Sequence, residues 1–340
     1  MKYSFDIELP FEPKVLAHSK SHAGEVFSVL LPINKELLAE LRTHRVLSQA
    51  QGEIISTELN DINLSVNANS SRAIPVSKQI DMAMTKPYMP HWSGKKKGMQ
   101  GELNLSQDLI DEADAVWLKM RDEIIDRVEE LESIGIHKQE ASRPLSAFTW
   151  ATVIVTADAS AWQLFFDLRC PMYQHSVTTF RSRQEAFEFS NLNIPNSSYA
   201  APGIQVIAER VYDLYRESRP KYLNPGEWHI VFDDTSLALD ARLYTSMSKC
   251  AKISYDNQDK PEELSKHIDR ATRLIQAKHW STAEHQLCVP TKQGLFSDDF
   301  KEYWTSNDGR SVLKRGKYVS NIKGWMRLRE MIQHDNYLSN

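Results

Sequence analysis

Cysteine is scarce in this 340-residue chain: three, at positions 170, 250 and 288. An odd count with no CxxC spacing argues against a disulfide framework and against a zinc site. It suits a reducing cytosol. No apolar run approaches the roughly 18 residues that a membrane span needs. The stretch 1–10 lacks the charged-then-apolar order of a signal peptide, so a cytoplasmic location is expected. There is no excess of positive charge either. The formal net charge is −4, which disfavours a general nucleic-acid or anionic-membrane binder. No GxGxxG follows a strand, no GxxxxGK[ST] loop appears (Ser93 to Gly98 is no substitute), and there is no GxSxG elbow. Dinucleotide binding of the Rossmann kind, P-loop chemistry and α/β-hydrolase chemistry are therefore not expected.

What is present is a globular balance, with 41% hydrophobic and 25% charged residues and eight tryptophans, enough for a packed core. Residues 23–33 read as a strand with Pro32 near its end. Asn34 can cap a helix from Lys35 to about Ser48, on which Leu37, Leu41 and His44 share a face. The clearest helix is 106–134. Leu109, Ala113, Val116, Met120, Ile124, Val128 and Leu131 form one stripe on it, and Gly135 is its stop. Residues 144–169 are apolar and aromatic and should be buried. Helices are expected near 203–217 and 261–277, and a short strand at Val231 and Phe232. Stretches 49–65 and 170–198 read as inserted loops or small lids. His18 and His22 are spaced i, i+4, but their serine- and glycine-rich surroundings suggest a loop and no metal.

Four separated blocks carry the chemistry: Thr43-His44-Arg45, Asn67 to Pro75, Lys138 to Arg143, and Phe165 to Arg169. Each sets an arginine among small or amide residues. Arginines with serine hydroxyls and approachable backbone amides suit a phosphorylated ligand. Taken singly, Ser70-Ser71-Arg72 also fits a polar turn before Pro75. Arg143 and Arg169 border the apolar stretch, so each needs a carboxylate nearby or awaits an anionic ligand. His44 and His285 are candidate ligand contacts, or else satisfied structural residues. The stretch 310–329 holds seven basic residues and no acidic one. It can meet a polyanion or form a solvated face.

Read together, the blocks resemble the flavin-dependent thymidylate synthases. That family's motif is RHRxxSxNxxSxR. Thr43-His44-Arg45-Val46-Leu47-Ser48 resembles its first half, and Asn67, Ser70 and Arg72 its second, split by 49–65. Either Ser48 or Ser65 stands for the middle serine. His91-Trp92, Gly98-Met99-Gln100, His137-Lys138-Gln139, Arg143, Phe165-Phe166 and Leu168-Arg169 fall in family order. So do Gly226-Glu227-Trp228-His229, Ala251 to Tyr255 (similar to ARVSY), Ala283-Glu284-His285-Gln286 (similar to FEHQ), and Asn321 with Gly324-Trp325. The likeness spans about 25–330, in the permuted-looking order of the larger subgroup. Leu164, Ala68, Gly203 and Ala283 depart from the family pattern.

The resemblance implies one α+β domain over 1–340, with a sheet and packed helices, assembled as a homotetramer whose active sites are shared between subunits. It implies FAD, with NADPH as reductant and methylenetetrahydrofolate as the one-carbon donor, converting dUMP to dTMP without a protein nucleophile. By the same implication, Ser70, Ser71, Arg72 and Arg143 hold dUMP. Arg169 lies by the uracil ring as the catalytic cation, and Thr43, His44, Arg45, Val46 and His285 contact FAD. No metal, membrane or nucleic acid is implied. The departures leave open a hydroxymethylated product, another pyrimidine nucleotide, or a non-catalytic binding protein.

Overall fold

A computed structural model of the chain describes residues 7–38, 40–41, 64–68, 74–97, 105–190, 194, 196, 198, 200–253, 261–290, 303–305, 311–313, 322, 324–335 and 337–338. It is a mixed α/β structure of sheets with helices packed on them. In chain order the elements are β1 (Lys14–Ser21), β2 (Gly24–Asn34), β3 (Leu64–Ala68), α1 (Val76–Thr85), α2 (Gln107–Ser133) and α3 (Lys138–Ala141). Then come β4 (Trp150–Asp158), α4 (Ala159–Arg169), β5 (Tyr173–His175), β6 (Thr178–Phe180), α5 (Arg183–Ser190), α6 (Pro202–Glu217), β7 (Lys221–Tyr222) and β8 (Trp228–His229). The C-terminal part adds α7 (Leu239–Ala251), α8 (Leu264–Gln276), β9 (Leu287–Cys288), β10 (Tyr303–Thr305), β11 (Ser311–Leu313), β12 (Met326–Arg327) and α9 (Leu328–Asp335).

The central sheet runs β3-β4-β2-β1-β7. Its β1–β2 hairpin turns at His22-Ala23 into Gly24, whose φ of +114° favours glycine. His18 therefore lies in a strand, where a loop was expected. It is buried, between Ser218 and Glu25. β2 pairs with β4 along its length, from Val26↔Asp158 to Asn34↔Trp150. Pro32 sits beyond the last β1 pair, Lys14↔Leu30, where β2 has a strand on one side only. A missing N–H is tolerated there.

Both faces of β2 and β4 are covered, and alternation sorts their residues. Phe27, Val29, Leu31, Ile33, Val153, Val155 and Ala157 form one face. It packs on Leu41, on Trp162, Phe165 and Phe166 of α4, and on Ile204, Ile207 and Val211 of α6. The other face, with Ser28, Leu30, Ile154 and Thr156, meets the C-terminal layer through Val231, Cys250 and Ile253. That layer is a small sheet, β12-β9-β8, backed by α7, α8 and α9 around Leu243, Met247, Ala271 and Leu328.

Asp158 ends β4 and caps α4 by accepting from the Ala161 amide. Trp162 Nε1 donates to the Phe27 carbonyl at 2.9 Å, tying α4 to β2. Ser106 caps α2, and Gly135 follows it at φ +87°. On α2, Leu109, Val116 and Met120 are exposed, whereas Ile125 and Val128 are buried against Val76, Ala83, Leu145 and Phe148. The helix is longer than the cluster it covers, so the N-terminal half of its stripe is not part of the core. Strand formation expected at Val231 and Phe232 falls instead at Trp228–His229. Phe232 turns with φ +54°, which ends extension.

Within the stretch 170–198, residues 173–190 hold regular secondary structure where a loop was expected. They form the β5–β6 hairpin and α5, around Tyr173, Phe180, Ala186 and Ile194. Polar bonds clamp α5 to α6: Arg216 to Glu188 at 2.8 Å, Tyr212 to Glu185 at 3.0 Å and Gln184 to Glu217 at 2.8 Å. The polar composition that read as a loop is the solvent face of this small unit. Of the stretch 49–65, only Leu64 and Ser65, in β3, lie among the described residues. Among the described residues no helix is long and apolar enough to cross a membrane.

Replacing Trp162 with alanine should cost about 3–5 kcal/mol in denaturant unfolding, as for other large buried side chains. Leu164→Ala, on the exposed side of the same helix, should change stability by less than about 0.5 kcal/mol.

Candidate functional site

Arg169 is the last residue of α4. Its side chain is mostly buried, with Nη1 3.4 Å from Glu40 Oε1. Its Nε is buried with no hydrogen-bond partner among the described residues. Leaving such a donor unpaired costs about 1–3 kcal/mol, so the site has unspent hydrogen-bonding capacity for an acceptor. Glu40 is helical, as are Leu37, Leu38 and Leu41, and it precedes the Thr43-His44-Arg45 block in sequence. Burial raises its carboxyl pKa, with Arg169 working in the opposite direction. The structure thus brings the fourth block beside the helix that leads into the first. Glu40 was not singled out in the sequence. Its spacing from Thr43 and His44 on one helix face was the available signal.

Arg143 opens a 3-10 turn, Arg143–Phe148, and is exposed. Leu145, two residues on, packs in the same cluster as Val76 at the start of α1. The Asn67-to-Pro75 block leads directly into that helix. Arg143 is therefore next to the element that Ser70, Ser71 and Arg72 precede. Lys35, read in the sequence as a helix start, also reaches this corner. Its Nζ donates to Gln79 Oε1 at 3.1 Å, and Gln79 Nε2 donates to the Ile74 carbonyl. Burial alone lowers the Lys35 ammonium pKa to about 8. A desolvated cation of this kind gains from an anionic neighbour.

His285 lies on the other side of the central sheet from α4. The 3-10 turn Trp280–Ala283 before it packs against β3, and its Nδ1 is 2.9 Å from Thr156 Oγ1 in β4. Thr156 is in register with Ser65 of β3. His285 is fully buried, and its Nε2 has no partner among the described residues. Burial first, then the positive charge of Arg327, pushes its pKa down to about 3. The ring is neutral at pH 7. Its neighbour Gln286 donates to Ser246 at 2.8 Å, and Glu284 pairs with Arg329.

Of the expected site residues, Arg143, Arg169 and His285 are described. Thr43, His44, Arg45, Val46, Ser70, Ser71 and Arg72 lie outside the described residues. The helix bearing Arg169 and the turn bearing His285 pack on opposite faces of one sheet. Of the basic stretch 310–329, Arg327 pairs with Glu330 and Arg329 with Glu284. These two charges serve packing. Among the described residues no cluster of three or more His, Cys, Asp or Glu side chains is placed to hold a metal.

No protein-family profile matches the chain, and no curated protein sequence matches it. Two solved structures are similar in shape to part of it, both of a UMP/dUMP methylase, PolB, from Streptomyces cacaoi. The one bound with 5-Br UMP shares 14% identity, covering 62% of this chain and 89% of that one, with a TM-score of 0.40. The one bound with 5-Br dUMP shares 16% identity, covering 57% and 68%, with a TM-score of 0.36. Superpositions this loose equate neither single side chains nor, element for element, the two folds.

Burial, with the positive charge of Arg327 assisting, also lets His285 be used to test this geometry. An unfolded histidine takes up a proton near pH 6.5, whereas folded His285 does so near 3. The unfolded state binds more protons between those values, so stability is full above about pH 6.5 and falls as pH drops. The slope is about 1.4 kcal/mol per pH unit for one such group. Urea unfolding of His285→Asn should show a shallower loss between about pH 6 and 5 than the unsubstituted chain. Equal slopes would mean that the imidazole is not sealed from water.

Proposed function

We propose that the chain is an FAD-dependent methylase of dUMP, with methylenetetrahydrofolate as carbon donor and NADPH as reductant. The observation that carries this reading is Arg169, a mostly buried guanidinium paired with Glu40, whose Nε has no partner among the described residues. A guanidinium held in this way is preorganised to hydrogen-bond a ring oxygen that gains negative charge, as a uracil oxygen does when C5 becomes nucleophilic. The corner built from Arg143, Lys35 and the start of α1 supports a place for the nucleotide phosphate beside Ser70, Ser71 and Arg72.

The residues present also fit a flavin. His285 offers a neutral, buried ring nitrogen with no partner among the described residues, suited to the polar edge of a flat heterocycle. In this reading Thr43, His44, Arg45, Val46 and His285 hold the FAD. When bound, the flavin supplies the reducing and one-carbon-transfer chemistry. The chain's part is to bind the nucleotide, to stabilise charge through Arg169 and to keep water out. No protein nucleophile is called for, and the thiols suit that. All three cysteines are buried, and burial pushes Cys250 and Cys288 up to about 12, far from a reactive thiolate.

Arg169 and His285 belong to layers on opposite sides of the sheet, so a site using both is best completed across a boundary between copies. The exposed Leu109, Val116 and Met120 on α2 offer apolar surface for such an assembly.

Purified protein loaded with FAD should retain flavin absorbance and convert dUMP with methylenetetrahydrofolate and NADPH. Mass analysis of the product should show an added methyl. An added hydroxymethyl would keep the flavin site and change the product. Arg169→Ala should lower turnover by about 100-fold or more with unfolding unchanged in character. A protein that takes up no flavin, or an Arg169→Ala variant of full activity, would overturn the reading.

A further inference from the structure

His285 does not hold its orientation alone. From Nδ1 a line of buried polar groups runs across the central sheet. Thr156 Oγ1 is 2.9 Å from His285 Nδ1, and Ser28 Oγ is 2.6 Å from Thr156 Oγ1. His229 Nε2 is 2.7 Å from Ser28 Oγ, and Ser19 Oγ is 2.9 Å from His229 Nδ1. Topology assembles the line. Ser28 and Thr156 are direct partners in the β2–β4 register, Ser19 comes from β1, and β8 brings His229 over from the second sheet. All five side chains are buried.

Both rings are neutral, since burial pushes His229, like His285, down to about 3. Each hydroxyl has one proton to donate, and no third side-chain partner is present among the described residues. With one hydrogen per link the line fills in two ways. In the first, Ser19 donates to His229 Nδ1, His229 Nε2–H to Ser28, Ser28 to Thr156 and Thr156 to His285 Nδ1. His285 then carries its proton on Nε2. In the second, every link is reversed, both rings carry the proton on Nδ1, and His285 Nε2 is an acceptor. A mixed filling leaves one link without a hydrogen, strands a buried hydroxyl hydrogen or puts two hydrogens in one link, at about 1–3 kcal/mol for the unsatisfied group. The tautomers of two histidines that do not touch are therefore tied together.

We propose that Ser19, His229, Ser28 and Thr156 are positioning residues that tie the tautomer of His285 to that of His229, and so decide whether its Nε2, which has no partner among the described residues, donates to or accepts from a ligand. That the ligand is a flavin rests on the function proposed above. The coupling itself does not.

The test is nitrogen-15 NMR of the histidine rings in the whole, ligand-free protein. His229 and His285 should show the same tautomer, or the same ratio of the two. Ser28→Ala cuts the line without touching His285, and should free the tautomer of His285 from that of His229, so that the patterns of the two rings no longer match. Ser19→Ala, at the far end, perturbs the packing least and gives a second reading of the coupling, with thermal unfolding as the check on folding. Loss of the match in either variant supports the proposal. Unchanged His285 signals in both overturn it, as does a native protein in which the two rings hold different tautomers. Because no ligand is present, a failure of flavin binding leaves this result standing. In turnover, Ser28→Ala should lower kcat and leave the KM for dUMP unchanged, with Ser28→Thr restoring kcat.

Discussion

The pairing of β2 with β4 is the constraint on which the rest hangs. These two strands lie against each other over nine residue pairs, from Val26↔Asp158 to Asn34↔Trp150, and are covered on both faces. Fixing that register settles which side each residue takes, because strand side chains alternate. Phe27, Val29, Val153 and Val155 then meet α4 and α6. Ser28 and Thr156 fall on the opposite side, hydroxyl to hydroxyl at 2.6 Å. A slip of one residue would put those hydroxyls against Trp162 and Phe165, and the valines against His229 and His285. Apolar burial on one face thus enforces the polar arrangement on the other.

That division gives the candidate site its character. One side supplies a nearly buried guanidinium, Arg169, facing Glu40. The other supplies a neutral, buried imidazole, His285. The cation and the neutral ring each keep a nitrogen that has no partner among the described residues. The desolvation that pushes His285 down to about 3 also makes its hydrogen bonds strong and its orientation consequential. The same dryness raises the thiols out of reactive range, so the polar chemistry of this protein is concentrated in its arginines, histidines and hydroxyls.

Much of the scaffold was legible in the sequence because local rules decided it. The strand at 23–33, the helix at 107–133 with Ser106 and Gly135 at its ends, and the helix starting at Pro202 each follow from periodicity and cap chemistry. Elements whose nature depends on distant partners were not legible. His18 looked like a loop residue until β2 paired with it. The 170–198 stretch looked like a lid because its polar residues face solvent while Tyr173, Phe180 and Ile194 close a small core. The stripe on α2 had the right spacing for burial, yet Leu109, Val116 and Met120 in its N-terminal half are exposed.

The four arginine-bearing blocks, the three cysteines and the apolar stretch before Arg169 were determined by residue type and order alone, since charge, ring and thiol chemistry belong to the side chain wherever it lies. Only tertiary structure decided which of those groups lack a partner, that Arg169 faces Glu40, and that the two histidines His229 and His285 share one line of hydrogen bonds. The reason is that a hydrogen-bond deficit and a desolvation penalty belong to the surroundings. The surroundings here come from strands and turns far apart in the chain, brought into register by the pairing of β2 with β4.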